Sequence, residues 1–113
     1  MTGSALDRIQ GTPGVGSLYQ ALLEQLTTVG PYQVETKKTS LHVLRGTAFL
    51  GIHPRADGLL LNIVTDAPLD SPRVRKSEQV SRNRCHNEVL LTSPEELDPE
   101  LTGWLVKAYE RSC

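Results

Sequence analysis

Leu59-Leu60-Leu61-Asn62-Ile63-Val64 is the longest apolar run in the chain, and its reading decides the fold. It is far short of the roughly 20 residues a helix needs to cross a bilayer. Its length and the turn residues before it make it a strand. Near-continuous apolarity places that strand centrally, covered on both faces at least in part. Pro54-Arg55-Ala56-Asp57-Gly58 reads as a hairpin loop, because Asp-Gly suits positive backbone angles. Thr47 to His53 is then the preceding strand. Gly46 marks a turn before it, and Val34 to Leu44 is one further strand with partial alternation. Cys85 to Thr92 returns to strand character through Val89, Leu90 and Leu91.

Thr65 to Arg84 holds Pro68, Pro72 and five basic residues. Proline cannot donate to a ladder, so this stretch predicts an irregular basic loop over 65–84, with a short helical turn around Ser77 to Val80. Helices flank the strands. Leu18, Ala21, Leu22, Leu26 and Val29 share one face at helical spacing. Ser17 with Gln20 fits a capping box, and Thr12-Pro13 offers an earlier start. Gly30-Pro31 ends the helix. At the other end, Ser93-Pro94-Glu95-Glu96 is a second capping box, and Asp98-Pro99-Glu100 repeats the signal, so a turn precedes the main helix. Leu97, Leu101, Trp104, Leu105 and Ala108 form its buried stripe. The order is helix, strands, helix. It predicts an α+β two-layer sandwich: an antiparallel sheet of about four to five strands with an N-terminal and a C-terminal helix, in one domain over 1–113 with a loose lead-in over 1–11 that holds a short turn at Ala5 to Ile9.

Composition bounds the function. The 113 residues are 38% hydrophobic and 22% charged, with a net charge of -1. That excludes a long coiled coil, a collagen repeat, a wholly disordered chain and a strongly basic nucleic-acid binder. No basic-apolar-small pattern opens the chain, and the two cysteines, Cys85 and Cys113, do not form a framework, so the expected setting is cytoplasmic with no membrane segment. The near-neutral total conceals a split. Residues 31–86 carry nine Lys and Arg against five Asp and Glu, whereas residues 87–113 carry two against six. The first segment is an anion-binding face or a solvated rim.

Few residues point to chemistry. Gly11-Thr12-Pro13-Gly14-Val15-Gly16-Ser17 precedes a helix but lacks the Lys of a phosphate loop and the strand of a dinucleotide fold, so it reads as a helix entry. Cys85-His86, His42, His53 and Cys113 lack the paired spacing of zinc ligands, so no metal or other cofactor is expected. Arg82, Arg84 and His86 would favour a thiolate at Cys85 if they converged on it, although adjacent strand residues point to opposite faces.

The segment order also carries a resemblance. Val29-Gly30-Pro31-Tyr32-Gln33-Val34-Glu35-Thr36-Lys37-Lys38-Thr39-Ser40-Leu41, the 45–53 strand and Leu59-Leu60-Leu61 resemble the domain of unknown function 5655 family. The tail from Val89 through Ser93-Pro94-Glu95-Glu96-Leu97-Asp98-Pro99-Glu100-Leu101 to Trp104-Leu105 and Ala108-Tyr109-Glu110 is similar to that family's closing signature. The resemblance runs from about residue 12 to 112. It implies a small bacterial α+β domain, alone or appended to larger chains, with no established activity. Members often carry His-Arg-Val entering the last strand; here those positions read Asn87-Glu88-Val89, with His86 displaced by one.

Three readings follow. The first is a non-catalytic binding module, meeting an anionic ligand, nucleic acid or an acidic protein with Lys37, Lys38, Arg45, Arg82 and Arg84. In that reading Lys37 shares parity with Leu41 and Val43, enters the covered side and pairs with Glu35. The second is an enzyme or redox-responsive protein built on Cys85. The third is a homodimerisation module.

Overall fold

The computed structural model describes residues 5–112. Six strands form one antiparallel sheet in the order β1-β2-β3-β4-β6-β5. They are β1 (Gln33–Thr36), β2 (Leu41–Arg45), β3 (Thr47–Pro54), β4 (Leu59–Thr65), β5 (Val74–Ser81) and β6 (Arg84–Leu91). The helices are α1 (Ala5–Gln10), α2 (Pro13–Val29) and α3 (Pro99–Arg111), the last preceded by a 3-10 turn at Pro94–Glu96.

The α+β class and the central place of Leu59 to Val64 hold. Along β4, Leu59, Leu61 and Ile63 belong to the core, with Leu41 and Val43 of β2, Leu50 and Ile52 of β3, and Val89 and Leu91 of β6. These face Leu18, Leu22 and Leu26 of α2 and Leu101, Leu105 and Ala108 of α3. The alternate residues of β4, Leu60, Asn62 and Val64, turn to the opposite face, as strand geometry requires. Leu60 and Val64 are only 8% and 4% exposed, although the helices pack on the other side. Neighbouring side chains on the sheet shield them, so the apolarity reflects a central strand rather than two covering layers.

Two departures raise the strand count above four to five. Val34 to Leu44 is two strands, broken at 37–40, where the Lys37 amide donates to the Ser40 carbonyl at 2.8 Å. The second lies inside the expected 65–84 loop. Pro68 and Pro72 occupy the connection, but Val74 to Ser81 pairs with β6, and no helical turn forms at Ser77 to Val80. Seven of its eight residues are exposed, so this edge strand carries no apolar alternation to betray it. Arg75, Lys76 and two register irregularities discourage further pairing along that edge.

At the N-terminus, the short turn expected at Ala5 to Ile9 is a full helix, α1, anchored by fully buried Ile9 rather than loose; residues 1–4 lie outside the described residues. Helix α2 starts at Pro13, not Ser17. The Thr12 hydroxyl donates back to the Arg8 carbonyl at 3.0 Å instead of capping α2. Before α3 both start signals are used: Ser93 and Glu96 close a capping box on the 3-10 turn, and the Asp98 carboxylate accepts from the Leu101 amide at 3.0 Å.

The end of α3 is tied to the sheet through Tyr109. A bulge between β2 and β3 turns Phe49 inward, edge-on to the Tyr109 ring at 5.4 Å between centroids. The Tyr109 hydroxyl donates to the Pro31 carbonyl at 2.7 Å. Gly30, with φ +153°, sits directly against that hydroxyl, and an added Cβ would collide with it. Gly30→Ala is therefore expected to lower stability by about 2–3 kcal/mol, from backbone strain and the clash together. Urea unfolding checks this, and a loss below about 0.5 kcal/mol would contradict the packing.

Candidate functional site

The sheet face away from the helices gathers the polar groups. All three histidines of the chain, His42, His53 and His86, lie on it. Strand pairing aligns His42, Gly51, Asn62 and Glu88 in one cross-strand row, with Val64 and His86 in an adjacent row. Gly51 contributes no side chain between His42 and Asn62. The result is a depression of about 90 Å³ bordered by His42, Gly51, Asn62, Arg84 and His86.

His86 is the hinge of this cluster. Arg84 Nε donates to His86 Nε2 at 3.2 Å, and the Asn62 amide lies 3.4 Å from His86 Nδ1. A neutral imidazole has one acceptor nitrogen, and Arg84 occupies it, so Nδ1 carries the proton. The Asn62 amide then presents its oxygen to Nδ1. In this orientation the amide N–H groups take the buried position that has no partner in the protein, so they remain free to donate. Arg84 meets no carboxylate among the described residues, whereas Lys37, Arg73 and Arg111 all do.

Burial holds His86 below its ordinary value, reinforced by the Arg84 charge and opposed by Glu78. Burial, then the Arg55 charge, lowers His53 in the same direction. Both rings resist protonation in the folded state, while the unfolded chain takes up protons near pH 6.5. Their contribution to stability is full above that value and is lost as pH falls through it. The urea midpoint should fall between about pH 7 and 5, above the main carboxylate range, and His86→Gln should flatten part of that fall. An unchanged slope in the variant would contradict the assignment.

The five cations expected to act together are dispersed. Lys37 and Lys38 lie in the β1–β2 connection, both exposed. Lys37 does pair with Glu35, at 2.6 Å, but on the surface: Glu35 lies opposite His42, so its parity faces the open side rather than the covered one, and β1 ends at Thr36. Arg45 stacks over the Tyr109 ring at 4.2 Å and donates to the Tyr109 carbonyl. Arg82 is exposed in the β5–β6 turn. Strand order and register put that turn at the opposite edge and opposite end of the sheet from Lys37. Of the five, Arg84 alone borders the depression.

Cys85 is fully buried and points to the helix side, while His86 points to the open face. Its sulfur lies 3.8 Å from Asn87 Oδ1, and burial pushes the thiol up, away from the reactive thiolate. Arg84 turns to His86 instead. In a Cys113→Ser background, Cys85 should react with a thiol reagent only as fast as the protein unfolds; native labelling at a free-thiol rate would contradict its burial. Cys113 itself lies outside the described residues. Among the described residues, no three His, Cys, Asp or Glu are placed to hold a metal ion.

His42, Asn62 and His86 were not among the expected binding residues. A signal existed: Asn62 is the one polar residue inside the central apolar run, and it lies on the face that receives all three histidines.

A family model described as Domain of unknown function (DUF5655) matches residues 9–112. No curated protein and no solved structure matches the chain.

Proposed function

The chain belongs to the DUF5655 family, whose description carries no chemistry, and we propose that it is a non-catalytic binding module for an anionic group, received on the open sheet face by Arg84, His86, Asn62 and His42. The observation that carries this reading is the unpaired Arg84 guanidinium at the rim of a depression whose other polar groups come from three further positions on β2, β4 and β6. A guanidinium offers a planar fork suited to a phosphate, sulfate or carboxylate group. The depression, at about 90 Å³, suits one such group rather than a whole nucleotide. Such a group can be free or part of a macromolecule lying along the sheet, with Arg82 and Lys76 near the same strands.

Charge coupling gives the reading a signature. An anion beside His86 favours the imidazolium, so binding draws in a proton and tightens as pH falls. Sulfate is the suitable probe because it does not titrate in this range. Amide chemical shifts followed by NMR should saturate with sulfate, and affinity should rise about fivefold or more from pH 8 to pH 6. Chloride at matched ionic strength controls for screening. Equal responses to sulfate and chloride would overturn the proposal.

A further inference from the structure

We propose a second binding site, in the groove between residues 65–70 and α3, for a small zwitterion with an apolar or aromatic body. This inference does not rest on the anion site. The groove has a volume of about 470 Å³, within the range of small-molecule sites. Leu69 and Trp104 supply apolar surface, and Asp66, Asp70, Lys107 and Arg111 supply charge.

The groove is held open by contacts at both ends. The buried Asn87 side chain accepts from the Leu69 amide at 3.0 Å, which fixes the loop wall. Arg111 donates to Asp66 at 2.9 Å and to the Asn83 carbonyl at 2.8 Å, which closes one end. Near the other, Arg73 lies 5.6 Å from the Trp104 ring centroid and is itself held by Asp98 and Glu100. A wall fixed before the ligand arrives spares the ordering cost of binding.

The charges decide the ligand class. Asp66 and Arg111 neutralise one another. Asp70 and Lys107 line the same groove, and no carboxylate or ammonium among the described residues pairs with either. A simple anion would meet Lys107 but face the Asp70 charge, and a simple cation would meet the reverse. A molecule carrying one ammonium and one carboxylate satisfies both, with its body against Trp104 and Leu69.

Trp104 is the only tryptophan, so its fluorescence reports on this groove. The full chain is titrated with L-phenylalanine and 6-aminohexanoate, then with 3-phenylpropanoate and 2-phenylethylamine, which each carry one charge. At least one zwitterion should give a saturable change below about 10 mM, about tenfold tighter than either singly charged probe. Lys107→Gln and Asp70→Asn, both at exposed positions, should each weaken it about tenfold. Arg84→Glu should leave it unchanged, which separates this site from the sulfate site. No saturation with either zwitterion, or equal affinity for a singly charged probe, would overturn the proposal.

Discussion

Replacing Asn87 with leucine is expected to remove about 3 kcal/mol of stability, the largest loss from any single polar side chain in the fold. Asn87 is fully buried on β6, on the face it shares with buried Cys85, Val89 and Leu91. Its Nδ2 donates to the Ile63 carbonyl at 2.9 Å and to the Thr65 hydroxyl at 2.8 Å. Its Oδ1 accepts from the Leu69 amide at 3.0 Å and from the Ser77 hydroxyl at 2.8 Å. One amide thus joins β4, β5 and the connection between them. Leucine is close in volume, so the loss comes from stranded donors and acceptors rather than from a cavity; each buried group left unpaired costs about 1–3 kcal/mol. The connection can swing out to reach water, which keeps the total below the sum of the parts.

The same substitution has a local readout. With the Leu69 amide released, hydrogen exchange in residues 66–70 should accelerate before global unfolding. Trp104, on the far wall of that groove, should become more exposed in fluorescence. An unfolding free energy from urea within about 0.5 kcal/mol of the parent, with unchanged exchange at Leu69, would contradict the role assigned to Asn87.

Much of this fold was legible where burial imposes a pattern. Leu59 to Val64, the α3 stripe and both start signals before it follow from apolar period and capping chemistry. The hairpin at Asp57-Gly58 also forms, but not for the expected reason: neither residue adopts a positive φ, and Gly58 instead lies where an added Cβ would collide with the Leu91 carbonyl. Edge strands impose no such pattern. Val74 to Ser81 exposes nearly every residue, so two prolines nearby outweighed it. Lys37 was misjudged for a related reason. Parity arguments need an unbroken strand, and the 37–40 break resets the count. The open-face cluster is a tertiary product. His42, Asn62 and His86 come from three strands, and only the β2-β3-β4-β6 order makes them neighbours. Of the five cations expected from the locally basic segment, Arg84 alone borders the depression, because charge along the chain does not say which strand edge or end a residue reaches.

The proposed site has Arg84 receiving an anion beside His86. Arg84→Glu tests it most directly, since it reverses the charge at the rim of the depression and removes only one side-chain hydrogen bond of that residue, to His86. Unfolding should shift little, because the substitution disturbs no core contact. Sulfate should be titrated at pH 6 into the parent, Arg84→Glu and a Lys37→Glu/Lys38→Glu control at the distant corner of the sheet. Saturable shifts are expected at His42, Asn62 and His86 in the parent and in the control. Affinity should fall at least about tenfold in Arg84→Glu. Parent-like binding in Arg84→Glu, or equal loss in the lysine control, would contradict the proposed site.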